Sequence, residues 1–120
     1  MSEAQPQLKV MSSDGICTAE FTDRKILEEL SITRIGKELG SLVDEHKPIN
    51  LLLNFENVEH LSSAALGMLI TLHKRIMESR GQLKLSNINP QIYEVFKITR
   101  LNKVFDIYDH AAKAKASFAK

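Results

Sequence analysis

The sequence predicts an α/β fold: a mostly parallel sheet of about five strands with an antiparallel N-terminal edge, and about four helices. Three features point there. The apolar residues switch repeatedly between a spacing of two, suited to strands, and spacings of three and four, suited to helices. The run Ile49–Phe55 (INLLLNF) is almost continuously apolar, the pattern of a central strand covered on both faces. Strands that alternate with helices need crossover connections, which make neighbouring strands parallel.

Met1 to Gln7 is polar, contains Pro6 and reads as a frayed lead-in. Leu8 and Val10 begin to alternate as a strand, and Ser12-Ser13-Asp14-Gly15 makes a turn. Ile16–Phe21 returns antiparallel, with Cys17, Ala19 and Phe21 on one face. From Ser31, taken as N-cap, Ile32, Ile35, Leu39 and Leu42 recur at helical spacing, and Pro48 marks the stop. Gly36 and Gly40 weaken that helix by about 1 kcal/mol each relative to alanine, so close packing against a neighbour is expected there. After the strand at Ile49–Phe55, residues Glu56–Leu61 read as a loop. Ser62 then caps a second helix carrying Leu66, Leu69, Ile70, His73, Ile76 and Met77, with Gly81 suited to the position just past its end. Gln82–Ile88 alternates as a strand, and Asn89-Pro90 supplies a cap followed by proline at the first helical position of a third helix, running to about Thr99. Val104–Tyr108 reads as a last short strand, and Asp109 caps an Ala/Lys-rich helix ending at Phe118. No linker or repeat interrupts this order, so one domain over residues 1–120 is expected.

Composition narrows the function. The chain has 120 residues, 43% hydrophobic and 26% charged, which is ordinary for a globular protein. Sixteen basic and fifteen acidic residues leave a net charge of +1, with no field to attract nucleic acid or an anionic membrane. The lone Cys17 forms no internal disulfide, no Cys/His spacing offers a metal site, and no window approaches the roughly 18 apolar residues of a membrane span. A cytoplasmic protein is expected. No Gly-rich phosphate loop is present, so no nucleotide cofactor is expected either.

In open α/β sheets the functional loops lie beyond the carboxyl ends of the strands. The segment that best fits is Glu56–Gly67, between the most buried strand and the most apolar helix. Ser62 and Ser63 sit where that helix begins, and Ala64 and Gly67 leave room for another surface to approach. Free backbone N–H groups and the helix dipole favour a negative charge there, so a phosphate on either serine is well placed. On residue chemistry alone the plain alternative stands: Ser62 caps the helix and Ser63 is a first-turn residue. A serine hydrolase would need a nucleophile elbow of the type G-x-S-x-G, which is absent. His60 lacks an acidic partner that would orient it as a base, His73 reads as a core or boundary residue, and Cys17 as a small buried hydrophobe. Catalysis by this chain is not expected.

The element order and three stretches, Phe21–Glu28 (FTDRKILE), Leu51–Phe55 (LLLNF) and Leu61–Leu69 (LSSAALGML), together resemble the STAS domain of anti-sigma factor antagonists. The resemblance covers nearly the whole chain. It implies a partner-switching protein: an anti-sigma factor with serine kinase activity phosphorylates a serine at the start of this helix, and a serine phosphatase restores the active form. The family pattern Asp-Ser-Ser-Gly-Leu-Gly, aligned on Leu66-Gly67, places Ser62 at the aspartate, Ser63 at the first serine and Ala64 at the acceptor. A shift of one residue at the cap presents Ser63, so Ser63 is the expected acceptor and Ser62 the second choice. The expected partner surface comprises Glu56, Glu59, His60, Ser62, Ser63, Ala64 and Gly67. Ala64 keeps open the alternative of a STAS module that is never phosphorylated and serves as a constitutive binding or assembly subunit.

Overall fold

The computed structural model describes residues 8–118; the lead-in expected at residues 1–7 lies outside them. Strands β1 (Leu8–Ser13) and β2 (Ile16–Phe21) pair antiparallel, Leu8 opposite Phe21 and Ser13 opposite Ile16. The two residues between them, Asp14 and Gly15, have φ of 55° and 79°. A two-residue hairpin with both central residues left-handed favours Asp-Gly, so the turn follows from the local sequence.

The chain continues through β3 (Lys25–Ile26), α1 (Glu29–Glu45), β4 (Asn50–Asn54), β5 (His60–Leu61), α2 (Ser63–Glu78), β6 (Gln82–Ser86), α3 (Pro90–Ile98), a 3-10 turn (Leu101–Lys103), β7 (Asp106–Tyr108) and α4 (Ala111–Phe118). A five-stranded sheet has the order β1-β2-β4-β6-β7, parallel at every pairing except β1–β2. β3 and β5 form a separate two-stranded parallel sheet. The expected fold class is therefore the observed one.

Burial explains the layering. Leu51, Leu52 and Leu53 of β4 are all fully buried. Leu51 and Leu53 join the core with residues of α1, α2 and α3, while Leu52 packs with Ala114 and Phe118 of α4 and with Ile16. On the α4 face, Lys84 is buried, and its Nζ lies 3.2 Å from Asp106 Oδ2 and over the rings of Phe118 and Tyr108. A buried cation is tolerated there because a carboxylate and two aromatic faces replace its water.

Helices α1 and α2 lie close together. A Cβ on Gly36 would sit 3.2 Å from Met68 Cγ, and one on Gly40 would sit 2.8 Å from a guanidinium nitrogen of Arg75. The contact therefore advances in the same direction along both helices, so α1 and α2 begin at the same end of the molecule. Arg75 is held over Gly40 by Asp44, 2.8 Å away.

Several local expectations are corrected. Helix α1 starts at Glu29, ahead of Ser31; Glu28 occupies the cap and no side chain caps the helix. Val43, not Leu42, is fully buried at the end of that stripe. The sheet-facing stripe of α2 runs through Ala65, Leu66, Leu69, Leu72 and Ile76, leaving Met77 exposed. The left-handed residue after α2 is Arg80, with φ of 67°. Gly81 serves close approach instead, since a Cβ there would lie 2.4 Å from Ile49 O. At α4 the first helical bond runs to His110 O, so His110, not Asp109, holds the cap position.

Candidate functional site

The segment between β4 and α2 is tied down along its length by short-range chemistry. Asn54 Oδ1 accepts from the Glu56 amide at 2.8 Å, turning the chain as it leaves β4. The Asn57 side chain donates to Phe21 O at 3.2 Å, and Asn89 donates to Val58 O at 3.2 Å. Val58 is buried. β5 then pairs with β3, Lys25 opposite His60 and Ile26 opposite Leu61. The amides of Glu59 and His60 donate to Arg24 O, and that of Ser62 donates to Ile26 O at 3.1 Å. The backbone reaches Ser62 with its course fixed.

Ser62 has extended φ and ψ (−85° and 167°), and its hydroxyl accepts from the Ala65 amide at 3.2 Å, as an N-cap should. Its oxygen is committed to holding the helix. Ser63, the next residue, is the first of α2 and is exposed, as are Ala64 and Gly67. A Cβ added to Gly67 would meet nothing within 4 Å. Ala65 and Leu66 face inward and root this turn in the core. The outward face of the first turn thus carries a hydroxyl, a methyl and a hydrogen, a low surface that another backbone can approach. Free N–H groups at the helix start give it a positive potential.

The residues singled out from sequence fall as follows. Glu59 and His60 are exposed immediately before Ser62, and Ser63, Ala64 and Gly67 are exposed immediately after it. Glu56 is exposed at the other end of the loop, beside Asn54. His73 is half-buried, with its ring packed edge-on against Phe105 at 5.3 Å, and Cys17 is buried. Among the described residues no group of three or more His, Cys, Asp or Glu could hold a metal ion, and no helix is long and apolar enough to cross a membrane.

Sequence reasoning missed four apolar side chains around this site. Leu27 and Leu30 are 48% and 64% exposed at the start of α1, and Val95 and Ile98 are 40% and 77% exposed on α3. Leu27 follows Ile26, whose carbonyl binds the Ser62 amide, and Leu30 lies in the first turn of the helix that begins beside α2. For Leu30, Val95 and Ile98 the available signal was their position off the apolar stripes of their own helices; Leu27 precedes α1 and gave none.

Comparison with known proteins adds to this geometry. The family model described as the STAS domain matches residues 18–114. The anti-sigma F factor antagonist of Paenibacillus polymyxa is 25% identical over 80 residues, 67% of this chain and 68% of that protein. Among solved structures, an anti-sigma-factor antagonist (STAS) domain protein from Planctomyces limnophilus superposes with a TM-score of 0.85 at 22% identity, covering 97% of this chain and all of that one. The Bacillus cell fate determinant SpoIIAA, solved in its phosphorylated form, superposes with a TM-score of 0.72 at 13% identity, covering 94% of this chain and 99% of that one.

Proposed function

Since the chain belongs to the STAS domain family, we propose that it is an anti-sigma factor antagonist that switches partners through phosphorylation of Ser63. In this reading it binds an anti-sigma factor with serine kinase activity through the exposed first turn of α2 and the loop before it. The kinase phosphorylates Ser63, and a serine phosphatase reverses the modification. The chain supplies the acceptor hydroxyl and no catalysis, and it works in the cytoplasm.

One observation carries the choice of residue: of the two adjacent serines, Ser62 has its hydroxyl bound to the Ala65 amide, whereas Ser63 is exposed at the first helical position. Modification of Ser62 requires the hydroxyl that caps the helix to leave the Ala65 amide and enter a kinase site. A phosphate on Ser63 leaves the cap intact and lies near the free N–H groups of the helix start. It adds about −1.5 to −2 charges to a surface that must lose water on docking, in the same exposed segment as Glu59, and so weakens the complex. The name of the Paenibacillus relative and the phosphorylated form of SpoIIAA support the same reading.

The test uses purified anti-sigma factors of the source organism with ATP. One of them should bind the chain and raise its intact mass by one phosphoryl group, which fragmentation places on Ser63. A chain that binds none of them, or a phosphate found elsewhere, would overturn the proposal.

A further inference from the structure

Between α1 and α2, midway along the two helices, lies a groove with a cavity of about 330 Å³, bounded by Gly36, Lys37 and Gly40 on one side and by Met68, Leu72 and Arg75 on the other. That volume falls in the range of small-molecule sites, which join an apolar lining to a few placed polar groups. Leu72 is buried and Met68 half-buried, so the floor is apolar. Both charged residues that line the groove are cations, and no carboxylate lines it. Asp44 and Glu78 belong to the next hollow, on the far side of Arg75. Arg75 gives one terminal nitrogen to Asp44 at 2.8 Å and holds the other over Gly40, so its charge is balanced while its second edge stays available to an acceptor. Lys37 has no ion-pair partner among the described residues, and the hydroxyl of Thr71, on the same wall as Arg75, has no hydrogen-bond partner among them. The groove therefore presents an apolar floor, free donors and one uncompensated positive charge.

We infer that this groove is a binding site for a small amphiphilic monoanion, a carboxylate that carries an apolar chain. The carboxylate accepts from Lys37 and from the free edge of Arg75, with Thr71 as a further donor, and the chain lies over Met68 and Leu72. The single uncompensated charge selects the ligand's charge. A cation would face Lys37 directly, and a phosphate dianion would leave a second negative charge unpaired beside an apolar floor. Binding here needs no anti-sigma factor and no modification of Ser63, so the site stands or falls apart from the proposed switch.

The test titrates the isotopically labelled chain with sodium octanoate and follows its backbone amides by NMR. Saturable shifts centred on Gly36, Gly40 and Thr71 are expected, with a Kd of about 1 mM or below. Butanoate should bind at least about tenfold more weakly, because its shorter chain leaves most of the apolar floor uncovered. Lys37→Glu, at an exposed position, should weaken octanoate at least about tenfold, and thermal melting confirms that this variant is folded. Octanoate that fails to saturate by about 10 mM, or that binds Lys37→Glu as tightly as the wild-type chain, would overturn the site. Octylamine or octyl phosphate bound as tightly as octanoate would overturn the choice of a monoanion.

Discussion

In the five-stranded sheet, Leu51, Leu52 and Leu53 of β4 are completely buried between helices on both faces, whereas in the two-stranded sheet Lys25 and His60 face solvent and only Ile26 is fully buried. The large sheet is stabilised by apolar area removed from water beneath the helices that its parallel crossovers place on both faces. The small one is two residues long and depends on backbone bonds to Arg24 O and Ile26 O. A two-stranded unit of this kind has little stability of its own and takes it from the packed helices beside it. The division places the two serines: the core holds α2, and the small sheet delivers Ser62 and Ser63 to the surface without burying them.

Substitutions that strike the two regions should differ accordingly. Leu69 is buried where α2 meets the large sheet, so Leu69→Ala should destabilise the fold by roughly 2–5 kcal/mol, while exposed Lys113→Ala shifts the denaturant midpoint little. Equal and small effects would mean that α2 presents another face to the core. Gly81→Ala forces a Cβ against the backbone of Ile49 and should cost about 1–3 kcal/mol, read from the melting temperature. An unchanged melting temperature would show that the link from α2 into β6 moves easily away from Ile49. At the start of α2 the effects become smaller. Ser62→Ala removes the bond to the Ala65 amide and should cost about 1 kcal/mol by denaturation. Ser63→Ala, which removes an exposed hydroxyl from the same turn, should stay within about 0.5 kcal/mol of wild type. If the two serine variants lost the same stability, their division into cap and acceptor would fail.

The large sheet was legible in the sequence because its elements carry period and punctuation. Ile16–Phe21 alternates, Asp14-Gly15 specifies its turn, INLLLNF signals a covered strand, and Ser62 and Asn89-Pro90 announce helix starts that the structure places there. The β3–β5 pairing was not legible, since two residues show no alternation and Glu56–Leu61 reads as loop. Ser31 failed as a cap because α1 begins at Glu29, with Glu28 at the cap position and no side-chain cap bond, and a rule that looks for a capping side chain has no signal there. Met77 was misplaced by rotation: Ile70 and Met77 extend an apolar arc wider than the sheet covers, and Leu72 sits nearer its centre. The serines of the site were visible as a pair, with Ser62 legible as the cap that accepts from the Ala65 amide; the exposure of Ser63 at the first helical position required the structure.

The most direct measurement compares the affinity of the unmodified chain and of the chain phosphorylated at Ser63 for the anti-sigma factor that binds it. The phosphorylated chain should bind at least about tenfold more weakly, a difference of about 1.4 kcal/mol or more. Equal affinities would contradict the account, because a charge on the first turn of α2 would then leave the docked surface undisturbed.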